Sequence, residues 1–196
     1  MNDSKKLLSV KNMAKISILS VIAFLLMQIE FPVPIFPAFL KIDLSDLPAL
    51  IGGFALGPVV GILIELFKNL MHLMRTSTSG VGELANFLVG ISLVVPASII
   101  YFKDKTKKNA IIGLIIGTII MGIVGGILNY FILLPFYANV MKFPMEAIIN
   151  MGTIVNKHII DVKTLILYAV IPFNIFKGFL ISVFTMLVYK RISRLL

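Results

Sequence analysis

Long apolar stretches separated by short polar segments recur along the whole chain. Interpreted as helices, they predict six, over residues 14–31, 45–56, 58–74, 82–102, 109–136 and 165–190. Most approach the roughly 20 residues with which a helix crosses a bilayer, and the alternating ten-residue pattern of an outer-membrane barrel is missing. The second helix would rise only about 18 Å, so its neighbours must cover it. The pattern predicts an all-α integral membrane protein with six transmembrane helices in one domain over residues 1–196.

Three segments between these helices are expected on the outer side of the membrane. Residues 32–44 contain Pro32, Pro34 and Pro37 among phenylalanines, and the prolines stiffen the segment and exclude a helix. We interpret this segment as an extracellular lid loop above the short second helix. Residues 75–81 are rich in threonine, serine and glycine. Residues 137–164 include a helix-start signal at Pro144 and a stretch that is expected to lie flat on the membrane surface.

The composition agrees with this interpretation. The 196 residues are 59% hydrophobic and 14% charged, with a mean hydropathy of +1.03, which is too apolar for one water-soluble core. No small-residue cleavage site follows Ile29, so the basic and apolar N-terminal segment is expected to be a retained first span. The chain has no cysteine, which excludes disulfides and thiolate metal sites.

The net charge of +9 is concentrated beside the predicted spans. Lysines and arginines occupy three such segments, with only Asp3 and Asp104 among them: Lys5, Lys6, Lys11, Lys15, Lys103, Lys105, Lys107, Lys108, Lys190, Arg191 and Arg194. By the positive-inside rule these segments are cytoplasmic, as are both termini. The placement argues against nucleic acid as a partner and requires an even number of crossings on each side of Lys103.

Two predicted helices carry polar side chains at membrane depth. On the third helix they fall on one stripe, and the fourth adds two more: Glu65, Lys68, Asn69 and His72, then Glu83 and Asn86. This supporting polar network is either an internal set of ion pairs or part of a functional site. No second histidine or carboxylate lies at metal-binding spacing from His72, so we interpret His72 as a hydrogen-bonding residue and predict no metal.

The last helix contains Lys177 and Asn174 in an apolar run, about 20 to 24 Å from its cytoplasmic end. A lysine at that depth costs roughly 2.5 to 3.5 kcal/mol, so it requires a partner or a ligand. Asn174 shares its helix face, and Asn129 lies near the outer end of the fifth helix, followed by aromatic residues. Two amides and an ammonium group near aromatic rings suit a flat, uncharged heteroaromatic ligand.

Motifs for catalysis are missing from the sequence. It contains no G-x-x-x-x-G-K-[ST] loop for ATP, no H-E-x-x-H and no G-x-S-x-G. If the protein moves a solute uphill, the energy must come from another subunit. Two other classes stay open: an intramembrane enzyme using His72, Glu65 and Glu83 as acid and base, and a structural membrane subunit whose polar stripe only holds the helices together.

Several short blocks along the chain carry a family resemblance. They are Phe31-Pro32 through Phe39-Leu40-Lys41-Ile42-Asp43-Leu44-Ser45-Asp46-Leu47-Pro48-Ala49, Gly57-Pro58, Lys68-Asn69 with His72, Gly80-Val81-Gly82-Glu83 with Ala85-Asn86-Phe87, Leu128-Asn129-Tyr130, Leu134-Pro135, and Pro172-Phe173-Asn174-Ile175-Phe176-Lys177-Gly178. In this order, and over nearly the whole chain, the sequence resembles the riboflavin-specific S components (RibU) of energy-coupling factor (ECF) vitamin transporters.

The resemblance implies an S-component-like bundle in a bacterial cell membrane that captures riboflavin at the extracellular side beneath the first loop. It implies that Asn129, Asn174 and Lys177 contact the flavin. The lid and the fifth helix are expected to enclose the flavin with Leu40, Lys41, Phe36, Phe39, Tyr130 and Phe131. Riboflavin would be the transported ligand, and no cofactor is expected.

The resemblance also implies partners: a transmembrane coupling subunit and two ATPase subunits, with lipid around them. In the family the first helix docks through small residues, typically Ala-x-x-x-Ala, whereas here Ala14, Ser17, Ser20 and Ala23 are spaced by three. A related alternative is an S component for another vitamin such as thiamine, although a cationic ligand would need carboxylates that the face of Asn174 and Lys177 does not supply.

Overall fold

The structure is a computed structural model that describes residues 9–192, so Asp3, Lys5, Lys6 and Arg194 of the predicted basic flanks lie outside the described residues. Within that range the helices are α1 (Val10–Met27), α2 (Asp46–Leu56), α3 (Pro58–His72), α4 (Val81–Lys103), α5 (Lys107–Asn139), α6 (Met145–Val155) and α7 (Val162–Ile192). A 3-10 turn, Leu73–Arg75, extends α3. Two short strands, β1 (Phe31–Pro32) and β2 (Lys41–Ile42), pair antiparallel across the lid.

Four of these helices, α1, α4, α5 and α7, are long and apolar enough to cross a membrane, which confirms the prediction of a helical membrane protein. Helices α2 and α3 have 11 and 15 residues, or about 16 and 22 Å of rise, and neither spans alone. Gly57 joins them with a φ of 110°, a left-handed conformation that favours glycine, and Pro58 begins α3. The chain therefore reverses between the two short helices without a longer loop.

Several helix ends differ from the prediction. Helix α1 lies four residues earlier at both ends, because the Ser9 hydroxyl accepts a hydrogen bond from the Asn12 backbone N–H and the chain leaves the helix at Gln28. Helix α7 begins at Val162, where the Asp161 carboxylate accepts a 2.7 Å bond from the Thr164 N–H. The stretch expected on the membrane surface forms α6.

Helices α5 and α7 each widen into a five-residue π-helical turn, Asn129–Leu133 and Ile166–Val170. Each turn ends two residues before a proline, Pro135 or Pro172. Proline has no backbone N–H and its ring clashes with the carbonyl four residues earlier, and a locally wider helix relieves that clash. The backbone geometry therefore changes in α5 and α7 at the level of the predicted ligand asparagines.

Two apolar clusters fill the interior of the described residues. One lies between α1, α2, α3, α4, α5 and α7, and the other lies beneath the lid. Glycines bring α5 against α4: a Cβ at Gly117 would lie 2.6 Å from the Leu93 carbonyl oxygen, and one at Gly113 would lie 2.8 Å from that of Ala97. Such close approach is typical of helix pairs in membranes.

We expect Gly117→Leu to destabilise the protein, because its Cβ would meet backbone, which cannot move as a flexible side chain would. The cost should be roughly 1 to 3 kcal/mol, measured as a lower midpoint of thermal unfolding in detergent. Ile119→Leu is the matched control, since it adds the same side chain at a position that is 50% exposed on α5. Equal midpoints for the two variants would contradict the close packing of α4 and α5.

Candidate functional site

A cavity of about 290 Å³ lies between the lid and helices α3, α4, α5 and α7. Its wall is both polar and apolar, and it is lined by Met27, Glu30, Phe39, Leu40, Lys41, Asp43, His72, Gly82, Ala85, Asn86, Val89, Asn129, Leu133, Tyr137, Phe173, Asn174 and Lys177. A concave site with a few convergent polar groups among apolar side chains is the usual form of a small-molecule site.

Asn129 on α5 and Asn174 on α7 face this cavity in the same way. The Asn129 side-chain nitrogen donates to the Gly125 carbonyl at 2.9 Å, and the Asn174 nitrogen donates to the Val170 carbonyl at 2.9 Å. Each amide therefore uses its donor on its own helix. No hydrogen bond within the described residues uses either Oδ1 atom, so both oxygens are available as acceptors for a ligand.

Gly125 sets how closely α5 and α7 approach at this level. A Cβ at Gly125 would lie 2.6 Å from the side-chain nitrogen of Asn174. Any larger residue would displace that amide from the cavity wall. The position of the Asn174 amide therefore depends on a glycine at residue 125.

Lys177 has the partner that its depth requires. Its Nζ donates to Oδ2 of Asp43 at 2.8 Å and lies 3.6 Å from Oδ2 of Asp46. Asp43 lies in the loop between β2 and α2, where its Oδ1 also accepts a 2.8 Å bond from the Ser45 N–H. Burial alone would raise the pKa of Asp43, but the neighbouring Lys177 ammonium holds that pKa below its usual range.

Lys68 extends the same network on the side away from the cavity. It is completely buried and donates to Asp46, to the Ser45 hydroxyl at 2.8 Å, and to Oε1 of Glu65 at 3.1 Å. Glu65 and Lys68 thus form internal ion pairs. This was one of the two alternatives that the sequence left open for the polar network. The network joins the lid loop, α2, α3 and α7.

A second polar cluster lies at the C-terminal end of α3. The His72 ring nitrogen Nδ1 lies 2.9 Å from Oε1 of Glu83, whose Oε2 accepts bonds from Thr76 at 2.9 Å and Thr78 at 3.2 Å. His72 and Asn86 line the cavity, and the buried Asn86 oxygen has no hydrogen-bond partner among residues 9–192. The Asn69 nitrogen instead bonds the Glu65 carbonyl.

Acidic and histidine side chains in these clusters do not form a metal centre. Among residues 9–192 no group of three or more histidine, aspartate or glutamate side chains is arranged to hold a metal ion. The groups described above are instead bonded to one another and to lysines.

The predicted lid contacts divide into two sets. Phe39, Leu40 and Lys41 line the cavity. Phe36 lies outside it and packs on α7, with its ring centroid 5.4 Å from that of Phe173 and 5.8 Å from that of Phe176. Phe36 therefore holds the lid on α7.

The predicted aromatic contacts on α5 do not line the cavity. Tyr130 packs against Phe131 with ring centroids 4.9 Å apart, and Phe131 is 69% exposed. The aromatic side chains of the wall are Phe39 of the lid, Tyr137 on α5 and Phe173 on α7.

Sequence reasoning missed the carboxylates of the site. Glu30 and Asp43 both line the cavity, so the argument that this face lacks carboxylates does not hold for the cavity as a whole. Each is bonded to a lysine, Glu30 to Lys41 and Asp43 to Lys177. Asp43 could have been found as the acidic residue of the lid nearest the first turn of α2, once Lys177 was known to need a partner.

The small residues of α1 do not share one face. Ala14 and Ser17 are exposed, whereas Ser20 and Ala23 are buried in the bundle. A step of three residues turns a helix by about 300°, so the line drifts by about 60° at each step and passes from the surface to the interior. The Ser20 hydroxyl donates to the Ile16 carbonyl at 2.8 Å.

Comparison with known proteins assigns the family. Residues 11–189 match the model of the family described as ECF transporter, substrate-specific component. The chain belongs to this family. Its sequence is 42% identical to that of the riboflavin transporter RibU of Staphylococcus aureus (strain TCH60), over 95% of this chain and 92% of that relative.

Other comparisons agree with this assignment. The substrate-specific component is 35% identical to the riboflavin transporter FmnP of Bacillus subtilis (strain 168), over 95% of this chain and 94% of the relative. A solved structure described as the S component of a bacterial ECF transporter matches it with a TM-score of 0.73 and 41% identity, covering 94% of this chain and 96% of that one. The relatives are named as transporters, in agreement with the prediction that the chain is not an enzyme.

We expect Lys68→Met to destabilise this substrate-specific component strongly, because it leaves the Asp46 and Glu65 carboxylates buried without their cation. Removing one partner of a buried ion pair costs about 3 to 5 kcal/mol. Lys41→Met is the matched control: Lys41 and Glu30 have side chains that are 45% and 48% exposed, and such pairs contribute about 0 to 1 kcal/mol. Thermal unfolding in detergent measures both, and similar midpoints would contradict the structural role of Lys68.

Proposed function

We propose that this substrate-specific component captures riboflavin in the cavity beneath the lid, at the extracellular side of the bacterial cell membrane, for ATP-driven uptake by an ECF transporter. The observation that carries the proposal is the convergence of Asn129, Asn174 and Lys177 on one cavity. Two relatives that span almost the whole chain are riboflavin transporters by name, which supports the same ligand here.

The chemistry of the cavity suits riboflavin. The isoalloxazine edge offers carbonyl acceptors, ring nitrogens and one N–H donor, and the ribityl chain offers hydroxyl groups. The oxygens of Asn129 and Asn174 would accept from that N–H or from hydroxyls, while Lys177 and the amide nitrogen of Asn86 would donate. Phe39 and Phe173 would cover the ring.

The positions of the charges support an outward-facing cavity. The basic residues between α4 and α5, and Lys190 at the end of α7, lie at the helix ends remote from the cavity. Lys190 is 13 residues beyond Lys177, or about 20 Å along the helix. If these ends are cytoplasmic, the cavity lies in the outer half of the membrane. If the chain crosses the membrane six times and both termini are cytoplasmic, the short helices α2 and α3 must form two of the six crossings.

The energy would come from a transmembrane coupling subunit with two ATPase subunits, since the sequence has no nucleotide-binding motif. The exposed face of α1 includes two small residues, Ala14 and Ser17, next to the apolar residues Ile18 and Val21. We assign docking of the coupling subunit to this face, with Ser20 and Ala23 serving the internal packing of α1.

Asn174→Ala should weaken riboflavin binding by roughly 1 to 3 kcal/mol, about 5- to 150-fold, because a ligand donor loses its buried acceptor. Quenching of riboflavin fluorescence by the purified protein measures the affinity. Asn150→Ala, at an exposed position on α6, is the matched control and should bind like the wild type.

An excess of thiamine should not displace riboflavin from the wild type. Displacement by thiamine would favour the alternative vitamin, and no quenching of riboflavin by the wild type would refute the proposed function. Wild-type affinity in Asn174→Ala would remove this residue from the site.

Ala14→Phe should leave riboflavin affinity unchanged but reduce uptake into cells, because a bulky ring would keep the coupling subunit from close contact with α1. A misfit of about 1 to 3 kcal/mol corresponds to a 5- to 150-fold loss of assembly. Ile115→Phe adds the same ring at a position that is 55% exposed on α5 and should transport normally. Full uptake by Ala14→Phe would place the docking face elsewhere.

A further inference from the structure

Each lysine on the cavity wall, among the described residues, is bonded to a carboxylate. Lys177 pairs with Asp43 at 2.8 Å, and Lys41 pairs with Glu30. The His72 ring nitrogen Nδ1 lies 2.9 Å from Oε1 of Glu83. Carboxyl side chains also outnumber lysines in the cavity wall and the network behind it, where Glu30, Asp43, Asp46 and Glu65 pair with Lys41, Lys68 and Lys177. Within residues 9–192 the cavity wall thus offers an anion no unpaired ammonium group.

We propose that Asp43 sets the charge selectivity of the site: by holding the Lys177 ammonium, it makes the cavity accept an uncharged flavin and disfavour the phosphate ester of the same flavin. The inference rests on the proposed function and goes beyond it, because it names the residue that separates two ligands with the same ring system.

The surroundings of Asp43 fix its carboxylate beside Lys177. It is 6% exposed, and its two oxygens have separate partners, the Ser45 N–H at 2.8 Å and Lys177 at 2.8 Å. Because the Ser45 bond fixes the carboxylate to the start of α2, Lys177 is drawn toward the loop instead of presenting its full charge to the cavity. Asp43 is therefore a positioning residue that acts through Lys177.

The other carboxylates cannot take over this role. Asp46 lies 3.6 Å from Lys177 and bonds chiefly to Lys68. Glu30 and Lys41 are half-exposed, so water and salt screen their field. Lys177 and Asp43 are 5% and 6% exposed, so their field is screened far less, and a phosphate dianion beside a paired lysine gains little while it loses its hydration.

The test is the ratio of the Kd for flavin mononucleotide, the phosphate ester of riboflavin, to the Kd for riboflavin, measured by flavin fluorescence quenching on the full-length protein. The wild type should favour riboflavin. Asp43→Asn, which frees the Lys177 charge, should lower the ratio at least about tenfold in favour of the phosphate ester. Asp43→Glu keeps the carboxylate and should retain a ratio near that of the wild type.

Two further variants separate selectivity from folding and from bulk charge. Asp104→Asn removes a carboxylate at the exposed connection between α4 and α5, remote from the cavity, and should leave the ratio unchanged. Glu30→Gln frees the exposed Lys41 and should lower the ratio about twofold or more, less than Asp43→Asn because of screening. If Asp43→Asn does not fold, the wild-type ratio decides, and equal affinity of the folded wild type for both flavins overturns the inference.

The outcomes distinguish this inference from the proposed function. Normal riboflavin binding with an unchanged ratio in Asp43→Asn, or an equal loss of affinity for both flavins, would overturn the selectivity role and leave the proposed function intact. Equal affinity of the wild type for both flavins would do the same. A wild type that binds neither flavin would overturn the proposed function and the inference together.

Discussion

Two lysines buried among carboxylates hold the lid end of this protein together. Lys68 and Lys177 come from α3 and α7, and their partners Asp43 and Asp46 come from the lid loop and the first turn of α2. In water such groups would separate at little cost, but here they are buried in a membrane protein, where an unpaired charge is expensive. The loop that covers the cavity and the helices that line it are therefore fixed to one another by charge as well as by apolar packing.

The backbone of α5 and α7 contributes a second constraint, which positions the asparagines. Each helix widens before a proline, and the two helices approach closely at Gly125, against the Asn174 amide. The side-chain nitrogens of Asn129 and Asn174 then bond to carbonyls one turn earlier on their own helices. The result is a rigid pair of acceptors, because neither amide can rotate without losing its internal bond.

Periodicity and charge predicted the helices and the central polar residues of the site, because both signals are local in sequence. The pairing of Lys177 with Asp43 was beyond such reasoning, since 134 residues separate the two and a charge alone does not name its partner. For the aromatic residues after Asn129, the sequence instead predicted contacts with the cavity that the structure does not have. Sequence adjacency suggested that Tyr130 and Phe131 share the site, but successive helix residues turn by about 100°, and Phe131 is directed away from the bundle interior. The π-helical turns leave no periodic signal in the sequence, although the prolines that follow them can be read from it directly.

Substitutions of the lysines and of the asparagines in the site affect different properties of the protein. Lys177 both stabilises the lid and lines the cavity, so removing it leaves Asp43 buried without its cation and mixes a loss of stability with a loss of binding. Among the described residues Asn174 bonds only to its own helix, and truncating it removes an acceptor from the cavity while the ion pairs stay intact. Binding energetics are therefore best read from the asparagines and stability from the lysines, and a variant that changes Lys177 is interpretable only beside one that changes its carboxylate.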